Sequence, residues 1–219
     1  MKKAIITISI LIGLCGCMRS QYMFTNNYIA GYFEYDNAYT QVDKNAYIGF
    51  FFGGEHGNDF ISYHSYYNKA QYSVYAEKFG DTSYNRVLDY INGGSFPSNC
   101  EVLSFIVTSI DIVSDAAWDE SHGTGTSLAQ FFSVKFRSIA QFIESGYDFE
   151  LEQYCKNHWI TTPLDELQED DMRLALFSRP SFEIYATSPP TIDKHHRLTI
   201  TLTLDDGSTK EHVVEITYP

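Results

Sequence analysis

The residues best suited to chemistry are concentrated between Asp115 and Ser127. This segment combines hydroxyl, imidazole and carboxylate side chains, namely Asp115, Asp119, Glu120, Ser121, His122, Thr124, Thr126 and Ser127. A serine, a histidine and an aspartate can form a nucleophilic triad, but a triad depends on three-dimensional aim, and sequence neighbours rarely face one another. The chain has neither a Gly-x-Ser-x-Gly elbow nor a phosphate-binding Gly-Lys-Ser/Thr loop. The segment is therefore interpreted as a connection in which Thr126 or Ser127 caps a helical turn.

Metal-ligating side chains are numerous, but their spacing matches no metal-binding motif. His195 and His196 are adjacent, so in a strand they point to opposite faces and cannot share an ion. Glu55-His56 and the acidic run at residues 169–171 are explained equally well as solvated surface of an acidic chain. The sequence therefore predicts no metal site and no cofactor.

Aromatic residues are unusually dense between Tyr22 and Tyr90, where 20 of the 69 positions are Phe or Tyr. The densest group is Tyr63, Tyr66, Tyr67, Tyr72 and Tyr75. Tyrosine offers a large flat contact surface with a polar tip, which suits sugars and protein partners. Core packing is the competing explanation, because aromatic residues also favour strands. If the group is exposed, it forms a binding platform.

Two functions follow as hypotheses. The leading one is non-catalytic binding of a protein or a glycan. The alternative is a hydrolase acting on polysaccharide, which requires two carboxylates facing each other across a cleft. A net charge of −13 argues against nucleic acid as a partner, because such binding needs clustered Lys and Arg.

The N-terminus predicts export and lipidation. Lys2 and Lys3 precede an uncharged apolar stretch that ends at Leu14, the layout of a secretory signal peptide. The stretch is too short to span a bilayer, which takes about 20 apolar residues. The sequence Leu14-Cys15-Gly16-Cys17 resembles a bacterial lipobox, which implies cleavage after residue 16 and a lipid on Cys17. We expect a lipoprotein tethered by this lipid to a membrane, the outer membrane in particular, with its periplasmic or surface orientation open.

Cys100 and Cys155 are the remaining cysteines of the mature chain. Disulfides persist in exported proteins, and a bridge closing about 55 residues would stabilise the fold by roughly 4 kcal/mol. Two free buried thiols are the alternative.

The pattern of elements predicts a mostly β fold, a two-layer, immunoglobulin-like β-sandwich with a few short helices. Residues 17–45 are assigned to a tether and irregular lead-in, and residues 46–219 to a single domain whose part up to residue 100 is rich in aromatic residues. Strands are expected at 46–52, 71–79, 103–113 and 131–136, and a terminal hairpin at 197–218. Helices are expected at 81–93, at 138–145 and from Thr162.

Residues 103–207 resemble a family of uncharacterised lipoproteins of Bacteroidota-type bacteria. The resemblance rests on Ile106–Ile110, Ser114-Asp115, His122, Gly125–Leu128, Phe142–Tyr147, Pro163-Leu164 and Leu202–Gly207. The matching motifs are those of strands, caps and turns, so they bear on fold. The family lends no activity.

Overall fold

The computed structural model describes residues 22–35, 37–53, 60–62, 68–89 and 100–218. Its strands are β1 (Tyr22–Thr25), β2 (Gly31–Phe33), β3 (Tyr39–Val42), β4 (Ile48–Phe51), β5 (Phe60–Ser62), β6 (Arg86–Asp89), β7 (Glu101–Leu103), β8 (Val107–Ser114), β9 (Phe132–Phe136), β10 (Ile160–Pro163), β11 (Phe182–Ala186), β12 (His195–Leu204) and β13 (Thr209–Thr217). Its α-helices are α1 (Lys69–Phe79), α2 (Ala140–Glu144) and α3 (Phe149–Asn157). Among the described residues, no helix is long and apolar enough to cross a bilayer.

The strands form four sheets. Sheet 1 has the order β10-β9-β11-β4-β3, sheet 2 the order β13-β12-β8, sheet 3 the order β5-β2-β7, and sheet 4 pairs β1 with β6. Sheets 1 and 2 pack against each other, since the ring of Phe50 in β4 lies 5.1 Å from the ring of His212 in β13. Both inner faces are buried and apolar, with Val134 and Phe182 on sheet 1 and Ile200 on sheet 2 fully inaccessible. The prediction of a mostly β sandwich with few short helices is confirmed.

All neighbouring strands within sheets 1 and 2 of the sandwich are antiparallel. In sheet 1, β11 lies between β9 and β4, and β10 and β3 form the two edges. In sheet 2, β12 is the central strand between β8 and β13.

The terminal hairpin is confirmed. In β12 the side chains of Leu198, Ile200 and Leu202 are buried, whereas the threonines between them are partly exposed. This period-two pattern places every second residue on the core face of a sheet. Gly207 closes the turn with φ +80°, a left-handed conformation that glycine adopts without steric cost.

The structure exchanges two predicted elements. Residues 71–79, expected as a strand, belong to helix α1, and its buried residues Tyr72, Ala76 and Phe79 have the i, i+4, i+7 spacing of one helix face. Gly80 ends the helix in the left-handed conformation. Part of the helix expected at 81–93 is instead strand β6, which pairs with β1 from the N-terminal region. Pairing with β1, which is remote in sequence, therefore stabilises residues 86–89 as a strand.

The lead-in also differs from expectation, because residues 22–42 contribute strands β1, β2 and β3. The buried carboxylate of Asp81 fastens this region to the end of α1. It accepts hydrogen bonds from the backbone N–H groups of Tyr28 and Ile29, at 2.8 Å each, and from the hydroxyl of Tyr147 at 2.9 Å. Burial of Asp81 raises its pKa.

Other predicted elements are modified in detail. The strand expected at 103–113 is two strands, β7 and β8, separated by residues 104–106. The helix expected at 138–145 is α2, whereas the helix expected from Thr162 is the end of β10 followed by a 3-10 turn at Leu164–Glu166. The strands expected at 46–52 and 131–136 are β4 and β9.

Cys100 and Cys155 are both buried and both free, so the disulfide alternative is not formed in this structure. Cys100 lines a hollow together with Gln153 and Lys156, whereas Cys155 lines another together with Tyr154 and His158. Burial raises the pKa of Cys100 to about 12, which makes it an unreactive thiol at neutral pH.

Candidate functional site

The polar segment at 115–127 does not assemble a triad. The His122 ring bonds through Nδ1 to Asp119 Oδ1 at 2.7 Å and through Nε2 to the Gln130 side chain at 2.6 Å. The hydrogen bond from His122 lowers the pKa of Asp119. The hydroxyl of Ser127 donates to Asp111 Oδ1 instead, at 2.5 Å, and also lies 3.5 Å from the backbone N–H of Ala129, which begins a 3-10 turn. These contacts are those of a connection.

A serine–histidine pair that the sequence did not indicate joins β8 to β12. Ser114 Oγ lies 2.8 Å from His196 Nδ1, and His196 Nε2 lies 2.8 Å from the backbone oxygen of Asp193. If Nε2–H donates to that oxygen, Nδ1 accepts the serine proton, which is the relation of a nucleophile to its base. However, Ser114 and His196 are only 4% and 3% exposed, and the Trp118 ring packs 5.0 Å from the imidazole. Such deep burial favours a structural role for the pair, which joins two neighbouring strands of sheet 2.

The hydrolase alternative requires carboxylates facing each other in a cleft. Glu144, Asp170 and Asp171 line a cleft of about 430 Å³ beside α2 and α3. Glu144 is held in an ion pair by Arg173, and Asp171 Oδ2 accepts the backbone N–H of Gln168 at 2.9 Å. Two of the three acids thus have structural partners, and the arrangement does not favour acid–base catalysis.

No group of three or more metal-ligating side chains comes together among the described residues. His195 and His196 point to opposite faces of β12, as predicted, since the first is exposed and bonds to Thr217 whereas the second is buried. The Glu55-His56 pair lies outside the described residues.

Two of the five tyrosines predicted to form a binding platform, Tyr72 and Tyr75, lie among the described residues. Tyr63, Tyr66 and Tyr67 lie outside the described residues. Tyr72 is 1% exposed, and its hydroxyl donates to the backbone oxygen of Ile29 at 2.5 Å. Tyr75 is half-buried and donates to Glu34 Oε1 at 2.5 Å. At Tyr72 the core interpretation is therefore correct, because helical spacing turns this residue into the protein.

A different set of aromatic side chains shares the outer face of sheet 1. Strand register fixes this arrangement, because Tyr39 pairs with Phe51 across β3 and β4. Their rings stack at 5.0 Å and 8°. Just before β4, Tyr47 stacks on Tyr185 of β11 at 4.9 Å and 26°. Because Ile48, Phe50 and Phe52 are buried, Tyr47 and Phe51 must face outward.

Trp159 completes this set at the opposite edge of the sheet, just before β10. It is 37% exposed, and Tyr39 at the other edge is 43% exposed. Two cations approach its ring: Lys135 of β9, with Nζ 4.7 Å from the centroid, and Arg137 just after β9, with Cζ 4.8 Å from it. We call Tyr39, Tyr47, Phe51, Trp159 and Tyr185 the aromatic face.

Polar side chains lie between these rings. Lys135 of β9 is directly opposite Glu183 of β11, and their charged atoms are 3.9 Å apart. Gly49 is opposite Glu183 on the other side, and a Cβ there would meet the Phe51 ring at 3.0 Å and Pro180 at 3.2 Å. A side chain at this position would require the neighbouring groups to shift by a few tenths of an ångström.

The sequence analysis missed all five residues of the aromatic face. Alternation within residues 46–52 separates Tyr47 and Phe51 from Ile48, Phe50 and Phe52, but both sets are largely aromatic, so the pattern alone does not show which set is buried. Trp159 and Tyr185 lie outside the aromatic-dense segment. Compared with protein-family models, with curated proteins and with solved structures, the chain matches none of them.

Proposed function

We propose that this chain is an envelope lipoprotein, anchored to the outer membrane through Cys17, whose sandwich binds an extended glycan on the aromatic face without catalysis. The observation that carries the proposal is the placement of three separate aromatic groups on one face of a five-stranded sheet. Four strand spacings separate β3 from β10, which gives a span of about 19 Å. A ligand must be long to use all of it.

The chemistry of the face suits sugars. A pyranose ring has a face of C–H groups that packs on an aromatic ring, whereas its hydroxyls need hydrogen-bond partners. Aromatic rings with polar edges meet the first need. Lys135 and Glu183 in the middle of the sheet meet the second, since they supply donors and acceptors. Rings spaced apart by polar groups favour a ligand with repeating apolar faces over one continuous apolar patch.

The test is a glycan array probed with the purified mature chain and with a Tyr47→Ala/Tyr185→Ala variant. These rings are half-buried at the surface, so the variant should stay folded while losing retention of the glycans that the wild type binds. Truncating a central aromatic contact costs about 2 kcal/mol or more of binding, a loss of roughly 30-fold.

Tyr154→Ala is the matched control, because Tyr154 is 50% exposed but lies on α3, beside the acidic cleft. It should bind as the wild type does. Unchanged binding by the folded double variant would contradict the proposal, and loss of binding by Tyr154→Ala would place the ligand in the cleft instead.

A further inference from the structure

The charges at one end of the aromatic face are unusual for this chain. The protein carries 28 acidic against 15 basic residues, yet Lys135 and Arg137 both lie against the ring of Trp159. Two cations beside one partly exposed ring attract anions at short range, since salt screens the rest of the surface beyond about 8 Å at physiological ionic strength.

Arg137 has the contacts of a side chain held ready for a ligand. Its Nη1 donates to the backbone oxygen of Lys156 at 2.9 Å, which fixes the guanidinium over Trp159. Its Nε is buried and has no hydrogen-bond partner among the described residues. It forms no ion pair with any described carboxylate, in contrast to Lys156, which Glu152 holds at 2.7 Å. An oriented guanidinium lacking a carboxylate partner fits carboxylate or sulfate oxygens in bidentate geometry.

Arg137 also lines a hollow of about 290 Å³ behind the edge of the sheet. The hollow is also lined by Gln153, Lys156, Asn157 and Glu101. Because Glu152 holds the ammonium of Lys156, this cation is engaged within the protein. Lys135 is held only loosely, with Glu183 at 3.9 Å. Arg137 and Lys135 are therefore the cations available to a ligand.

We propose that the glycan bound on the aromatic face is anionic, and that Lys135 and Arg137 beside Trp159 bind a carboxylate or sulfate group of the sugar. This inference rests on the proposed function, because it names the class of glycan that the same face selects. The aromatic rings contact the sugar rings of the glycan, and Lys135 and Arg137 bind its charged groups.

The experiment compares oligogalacturonate with its fully methyl-esterified form by isothermal titration calorimetry, and dextran sulfate with dextran by affinity electrophoresis. The wild type should bind the charged member of at least one pair about tenfold or more tightly than the neutral member. The two pairs distinguish a carboxylate from a sulfate ligand, and preference within either one supports the proposal. Raising the salt concentration should weaken binding of the charged member of each pair more than binding of the neutral member.

Arg137→Gln and Lys135→Gln should each abolish this preference, because each should weaken binding of the charged member far more than binding of the neutral member. Arg137→Gln also removes the hydrogen bond from Nη1 to the backbone oxygen of Lys156 in α3, and this loss could destabilise the fold. Lys135→Gln is the second variant because it removes a cation without removing this hydrogen bond. The matched control is Arg197→Gln, an exposed arginine on β12 of sheet 2 that changes the net charge equally. Equal affinity of the wild type for charged and neutral members, or loss of preference in Arg197→Gln, would overturn the inference.

The two proposals fail in different ways. Equal affinity for neutral and anionic glycans, both bound through the aromatic face, leaves the proposed function intact and refutes the anionic preference. An array and titrations without any bound glycan refute both.

Discussion

Replacing Tyr72 by alanine should strongly destabilise the protein, although the sequence places this residue in a candidate binding platform. The side chain is 1% exposed, and its ring packs 5.4 Å from that of Tyr32. Removing a buried aromatic ring costs about 3–5 kcal/mol. The substitution also removes the hydroxyl that bonds to the backbone oxygen of Ile29. We therefore expect a loss of about 4 kcal/mol in the free energy of unfolding.

Thermal unfolding followed by circular dichroism measures this effect against Tyr39→Ala. For a chain of this size, 1 kcal/mol shifts Tm by about 2–4 °C, so Tyr72→Ala should lower Tm by about 8–16 °C. Tyr39 is 43% exposed and makes one cross-strand ring pair with Phe51, worth at most about 1 kcal/mol. Its substitution should lower Tm by no more than about 4 °C.

Equal Tm values for Tyr72→Ala and Tyr39→Ala would contradict this prediction. A shift below about 4 °C for Tyr72→Ala would mean that this ring contributes no more than a surface contact. The helical register that buries Tyr72 with Ala76 and Phe79 would then be wrong.

Two further predictions concern the anchor and the buried acid. Metabolic labelling with a fatty-acid analogue should mark the wild type and not Cys17→Ser, and labelling that persists in the variant would refute lipidation at this cysteine. Burial raises the pKa of Asp81, so the native state binds this proton more tightly than the unfolded chain does. The contribution of Asp81 to the free energy of unfolding therefore falls as pH rises from the unfolded pKa of about 3.9 through the folded pKa. Above the folded pKa this contribution is constant. Urea unfolding across this pH range should show this decrease in the free energy of unfolding for the wild type and not for Asp81→Asn. The variant should also lose about 1–3 kcal/mol at neutral pH, because an amide NH₂ cannot accept a hydrogen bond from the backbone N–H of Tyr28 or Ile29.

The parts of the fold that the sequence predicted are those determined by local pattern. The alternation of Leu198, Ile200 and Leu202 has one apolar face and one polar face, so the direction of burial is readable without a partner. Helix α2 and strand β9 were readable for the same reason. The exchange at 71–89 arose where local pattern was ambiguous, because Tyr72, Val74 and Phe79 suggest alternation while Tyr72, Ala76 and Phe79 form a helix face.

The lead-in could not be predicted because its order depends on distant groups. Its backbone at Tyr28 and Ile29 is satisfied by the carboxylate of Asp81, more than fifty residues away in the chain. A polar, tyrosine-rich segment without such a partner has the composition of a tether. The sequence shows the aspartate but not what it reaches.

The aromatic face was hidden for a related reason, since each of its strands contributes only one or two of its rings. Its existence depends on register, and a slip of one residue in β4 would exchange Tyr47 and Phe51 with Ile48 and Phe50. The core resists that slip, because Phe50 stacks on Phe182 at 4.5 Å inside the sandwich and has no exposed surface. The same packing that stabilises the fold therefore fixes which rings reach the surface. A binding surface of this kind is specified by the buried residues between its members, which a count of aromatic residues along the chain does not show.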